Sequence, residues 1–173
     1  MNDKELKTII ADIQASPQES EWVEIKANNA KPEEIGEYIS ALANGAAYMG
    51  LSKGYLVFGM NDKNHTIIGT SFQPKLEKIG NEEIENRIAI QLSPRIDFVI
   101  YEITVNEKRI VLFIIDSAGN MPVKFKGTAW IRVGSYKKNW QTILNESVKF
   151  GKIPPTALLK IKSRWQVLHQ TKF

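Results

Sequence analysis

The chain has 173 residues and no cysteine. At that length folding buries roughly 70% of the surface the unfolded chain exposes, so a core forms without covalent staples, and disulfides, thiolate metal sites and cysteine nucleophiles are excluded. The net charge of +4 divides unevenly: residues 1–40 carry −5, residues 41–120 carry −1, and residues 121–173 carry +10, with eleven Lys/Arg against one Asp/Glu. In chain order, Leu6, Ile9, Ile10 and Ile13 predict a helix over residues 4–14, ended by Ser16-Pro17. The run Glu19-Ser20-Glu21-Trp22-Val23-Glu24-Ile25-Lys26 reads as a strand carrying carboxylates. Pro32, with Glu33 and Glu34 in the same turn, opens a helix whose apolar residues repeat from Ile35 to about Ala47. Tyr55–Met60 is an apolar strand, and after the turn Asn61-Asp62-Lys63-Asn64 the residues Thr66–Gly69 read as its returning partner. Asn81 is a candidate N-cap for a helix to about Leu92, stopped by Pro94. Residues 96–105 and 109–115 form a hairpin around Asn106-Glu107-Lys108, and Val123–Phe125 and Ala129–Val133 a second one around Lys126-Gly127. Past Gly134 the expectation is basic helix at 140–150 and again at 156–169.

This order mixes strands and helices without regular alternation, which predicts an α+β (mixed α/β) single domain with helices packed on a sheet. The expected division is an N-terminal helix at 1–14, a domain at 15–138 and a basic helical C-terminal extension at 139–173. No run approaches the ~20 apolar residues of a membrane span. The segment Met1-Asn2-Asp3-Lys4-Glu5 has neither region of a signal peptide. A cytoplasmic protein without membrane contact is therefore expected.

Two constellations carry chemistry. In a strand, side chains two apart share a face, so Glu24 and Lys26 sit side by side. They are either a charge-paired strand face or, with Glu19, a hard-cation site of the kind oxygen ligands make. Asp62 is either a turn former or a third carboxylate delivered to that site by the preceding strand. His65 reads as a turn residue. The second constellation is basic: Lys124, Lys126, Arg132, Ser135, Lys137 and Lys138, with aromatic residues interleaved. It is either a phosphate-binding surface or a solvated face balancing the acidic first third. The Gly-rich phosphate-binding fingerprints of nucleotide enzymes are missing.

Four stretches, in order, resemble the Schlafen AlbA-type domain. They are Glu19–Lys26, Ile39-Ser40-Ala41-Leu42-Ala43-Asn44, Gly54–Asp62, and Met121-Pro122-Val123 leading to Ile131-Arg132-Val133-Gly134-Ser135. The resemblance spans about residues 15–138 and implies a mixed sheet flanked by helices. Schlafen ribonucleases bind Mg²⁺ or Mn²⁺ through three acidic side chains and cleave RNA, tRNA included. By motif position these correspond to Glu19, Glu24 and Asp62, with Lys26 beside them as a phosphate-neutralising catalytic residue. Many bacterial relatives carry the domain at the front of regulator-like proteins, where nucleic-acid binding is inferred. The longer Gly45–Gly54 segment departs from the usual glycine pair after Ala-Asn. Mammalian members join two lobes into a cradle, which a homodimer would rebuild here. The leading expectation is a DNA- or RNA-binding domain using the C-terminal basic surface. A metal-dependent endoribonuclease comes second, and third a non-catalytic interaction module docking through Trp140/Ile143/Leu144 and Leu158/Leu159/Trp165.

Overall fold

The computed structural model describes residues 1–16, 20–28, 30–134 and 136–143. In chain order the elements are α1 (Asp3–Ala15), β1 (Val23–Lys26), α2 (Pro32–Met49), β2 (Lys53–Phe58), β3 (Lys78–Ile79), β4 (Glu82–Glu83), α3 (Ile84–Ala89), β5 (Leu92–Ser93), β6 (Phe98–Val105), β7 (Lys108–Asp116), β8 (Lys124–Phe125), β9 (Thr128–Val133) and β10 (Tyr136–Asn139). One four-stranded sheet runs β1-β2-β7-β6, a second runs β10-β9-β8-β5, and β3-β4 is a small hairpin. In the first sheet β1 and β2 are parallel while β2, β7 and β6 are antiparallel, so the sheet is mixed.

The first sheet is buried on both faces, which explains the unbroken apolar run of β7. Val111, Phe113 and Ile115 point toward α2, with Leu56 and Phe58 of β2. Ile110, Leu112 and Ile114 point the other way, where Leu6, Ile10 and Ile13 of α1 cover them. The start of α1 is fixed by a reciprocal cap: Asn2 Oδ1 accepts from the Glu5 N–H at 2.9 Å and Glu5 returns the bond at 2.8 Å. At the far end of α2, Gly50 adopts φ +75 and its N–H closes the last turn. Two-residue turns with positive φ at both positions, Asn106-Glu107 and Lys126-Gly127, close the β6-β7 and β8-β9 hairpins where the sequence placed them.

Three local expectations change. Thr66–Gly69 is not a strand but makes one bridge, Met60 to Ile67. The Ile68 and Gly69 N–H groups both turn to the Gly59 carbonyl, and Thr70 N–H to that of Arg109, which consumes the pairing. Asn81 does not cap a helix; with Gly80 (φ +66) it turns the β3-β4 hairpin, and α3 begins only at Ile84. Leu92, expected in that helix, pairs with Phe125 in the second sheet. Beyond Gly134 the chain forms β10 before any helix, paired with β9. The expected helices past residue 143, with Leu144, Leu158, Leu159 and Trp165, lie outside the described residues.

Candidate functional site

On β1 the side chains alternate between two environments. Val23 and Ile25 enter the core under α1. Glu24, opposite Leu56, and Lys26, opposite Phe58, take the α2 side of the sheet. Glu24 is only 4% exposed. Its Oε1 lies 2.9 Å from Lys26 Nζ, and its Oε2 forms an ion pair with the Arg132 guanidinium, whose side chain is fully buried. Arg132 also donates Nε–H to the Ser20 carbonyl at 3.0 Å. Two desolvated charges are stable together only when each compensates the other. Here the pair ties β9 of the second sheet to β1 of the first.

The stretches that carry the family resemblance meet in space around this pair. Ser40 and Asn44 lie one helical turn apart on α2 and are both buried. Asn44 donates to the carbonyls of Val123 (2.9 Å) and Trp130 (2.8 Å), and accepts from the Val123 N–H at 2.8 Å. Ser40 Oγ donates to the Val123 carbonyl and accepts from the Trp130 N–H. The backbone that leaves the β8-β9 ladder is thereby satisfied by two side chains of α2. Gly45 is required because a Cβ there would lie 1.9 Å from the Glu21 carbonyl oxygen. That close approach seats the lead-in to β1 against α2.

The basic residues sort onto two faces of the second sheet. Arg132 and Lys137 are direct cross-strand partners and so share a face. This inner face looks toward α2: Lys137 Nζ pairs with Glu37 at 2.5 Å and lies over the Tyr38 ring at 4.3 Å and the Trp130 ring at 5.4 Å. The outer face holds Lys138 opposite Ile131, Tyr136 opposite Val133, and Lys124 opposite Ala129. Ile131 is buried, whereas Lys124, Val133, Tyr136 and Lys138 are exposed. Among the described residues neither Lys124 nor Lys138 has an acidic partner. Lys126, in the β8-β9 turn, pairs with Glu33 at 3.2 Å in the first turn of α2. A bond from Glu33's own backbone N–H, then Lys126, holds the Glu33 carboxyl below its ordinary pKa. Ser135 and Glu19 lie outside the described residues.

Asp62 is exposed in the turn after β2. The turn is organised by Asn61, whose Oδ1 accepts from the N–H groups of Lys63 (2.9 Å) and Asn64 (3.3 Å). His65 is buried with φ 55 and serves that turn.

A family model described as Schlafen, AlbA_2 matches residues 19–141, most of the chain. The chain belongs to the Schlafen AlbA_2 family. The match runs from the lead-in of β1 through the end of β10. The crystal structure of the DIP2311 protein from Corynebacterium diphtheriae superposes with a TM-score of 0.51 at 16% identity, covering 79% of this chain and 26% of that one. It shows a shared fold, and this chain spans about a quarter of that protein's length. The solution structure of the N-terminal domain of a RecG-related protein from Nitrosomonas europaea aligns with a TM-score of 0.45 and 23% identity, over 76% of this chain and 90% of that one. Among curated proteins none matches.

Of the three carboxylates expected to hold a divalent ion in this AlbA_2 domain, Glu24 is buried and paired, Asp62 is exposed in its turn, and Glu19 lies outside the described residues. Both Glu24 oxygens are held by cations, one of them fully buried. Among the described residues no three acidic or imidazole side chains converge as a metal set. Sequence reasoning gave Ser40 and Asn44 no role; their four-residue spacing in the apolar stretch Ile39–Ala47 of α2 was the available signal. It also passed over Glu33 and Glu37 as partners for distant lysines.

Proposed function

We propose that this AlbA_2 domain binds the sugar–phosphate backbone of nucleic acid on the outer face of its second sheet, with Lys124 and Lys138 as the phosphate contacts. The observation that supports the reading is the separation of cations by face. Arg132 and Lys137 are committed to acids on the inner face, whereas Lys124 and Lys138 share the outer face with no acidic partner among the described residues. A buried guanidinium cannot reach a phosphate without breaking its pair with Glu24, so Arg132 is a structural residue in this reading. Lys126 adds to the contact only by leaving Glu33, an exchange that costs little for an exposed pair.

The test is fluorescence anisotropy of the full chain with labelled RNA and DNA across a potassium chloride series. Counterion release makes the affinity fall with salt, with a logarithmic slope of about −0.7 per contacted phosphate of a single strand. The double substitution Lys124→Gln/Lys138→Gln should reduce the slope by about 1.4 in magnitude. Absence of binding at low salt, or an unchanged slope in the double variant, would overturn the assignment.

A further inference from the structure

We propose that the outer edge of the β9-β10 hairpin is a stacking platform for single-stranded nucleic acid, on which Tyr136 takes an unpaired base while Lys138 holds the adjoining phosphate. This rests on the phosphate-binding reading above and adds to it the strandedness of the ligand and an aromatic contact.

Tyr136 is 72% exposed. An aromatic ring left so far in water has its large apolar area unused, and among the described residues nothing stacks on it. The rings of Tyr38 and Trp130, on the inner face, are by contrast covered by Lys137. Tyr136 begins β10, the edge strand of this sheet among the described residues. Lys138 is two residues further on the same face, about 7 Å away at the rise of an extended strand. Val133, directly opposite Tyr136 and 48% exposed, extends the apolar floor beneath a base. At the hairpin tip Gly134 has φ +59 and no atom within 4 Å of where a Cβ would stand, while its N–H donates to Glu21 Oε1 at 3.4 Å, so the open side of the tip is the Cβ side.

An aromatic face, an apolar floor and exposed ammonium groups complement a ligand that is anionic along its chain and flat in its side groups. In a duplex the base faces are occupied by their neighbours, and only the lysines could act. A single strand offers both features, and stacking on an aromatic side chain tolerates any base.

Tyr136→Ala and Tyr136→Phe in the full chain separate the possibilities, because an exposed edge side chain can be changed without disturbing the core. The probes are a labelled single-stranded oligonucleotide and the duplex of the same length, read by anisotropy, with sedimentation velocity on the free protein. Tyr136→Ala is expected to weaken single-strand binding by about 5- to 150-fold. It should leave duplex binding and the salt slope unchanged, and Tyr136→Phe should behave as wild type. Unaltered single-strand affinity in Tyr136→Ala, or equal loss on both probes, overturns the stacking platform. If Lys124→Gln/Lys138→Gln still lowers the salt slope in that case, the phosphate reading survives alone. A dimer that Tyr136→Ala dissociates makes the edge a contact between copies and equally overturns the proposal. No binding of either probe ends both readings.

Discussion

Replacing Glu24 by glutamine removes the negative charge that Arg132 and Lys26 share. Lys26 keeps 29% of its side chain in solvent and can rehydrate by a small movement. Arg132 has no exposed side-chain surface, so its buried guanidinium loses the Glu24 carboxylate and cannot turn to water in exchange. Breaking a buried pair from one side costs about 3–5 kcal/mol, a large part of a domain's total stability of about 5–15 kcal/mol. At this chain length that corresponds to a melting temperature lower by about 6–20 °C. Arg132→Met should cost less than Glu24→Gln, because Lys26 remains to hold the carboxylate. The double substitution Glu24→Leu/Arg132→Met replaces both charges with apolar volume and should recover much of the loss, as buried pairs exchanged whole are often neutral. Urea unfolding of wild type, Glu24→Leu, Arg132→Met and the double variant, followed by Trp fluorescence and far-ultraviolet circular dichroism, gives the cycle directly, with Glu24→Gln measured beside them. A Glu24→Gln cost below about 1 kcal/mol, or additivity within about 0.5 kcal/mol, would refute the inter-sheet pair as a buried latch.

Asn44→Ala should destabilise the domain by about 3 kcal/mol or more, since it strands buried donors and acceptors at Val123 and Trp130 that each cost about 1–3 kcal/mol unpaired. Hydrogen exchange should quicken first at the Val123 amide, and uniform acceleration over the whole chain would argue against the local account. Gly45→Ala should displace the segment leading into β1, visible as amide shift changes at Ser20–Glu24; an unperturbed spectrum would contradict the close approach to Glu21. The Glu33 carboxyl titrates below its ordinary value, held first by its own backbone N–H and then by Lys126, so these bonds contribute stability above the unfolded pKa of 4.5 and lose it as pH falls through the folded one. Glu33→Gln should therefore flatten the acid limb of the stability curve without changing the neutral plateau greatly, measured by urea midpoint against pH. Tyr55, half-buried, has its phenol raised above 10.0 chiefly by desolvation. Its stability contribution is complete below that value and declines as pH rises through the folded pKa, so phenolate absorbance should appear late in an alkaline titration.

Much of the fold was legible because its signals are local. The two-sided apolar run of β7, Pro32 with its acidic first turn, and the Lys126-Gly127 turn each declare their element within a few residues. The misreadings share a cause in backbone partners that lie far along the chain. Asn81 has the chemistry of an N-cap, yet Gly80 beside it favours a tight turn, and Leu92 is claimed by β8 across the second sheet. Tyr136-Lys137-Lys138-Asn139 has little apolar alternation because its inner face is closed by Glu37, Tyr38 and Trp130 rather than by aliphatic residues. The candidate site was harder still. Glu24 and Lys26 were recognised as neighbours, but the charge that completes them comes from Arg132, more than a hundred residues away. Counting lysines along the line could not separate those held by α2 from those left on the outer face. The sheet register makes that separation.

The decisive property is which face of the second sheet meets the ligand. An amide and arginine side-chain NMR titration of the full chain with a single-stranded oligonucleotide reads both faces at once. Shifts concentrated at Lys124, Val133, Tyr136 and Lys138, with the Arg132 Nε–H signal unmoved, are the predicted result. Movement of that Arg132 signal together with Glu24 and Lys26, with the outer face silent, would contradict it.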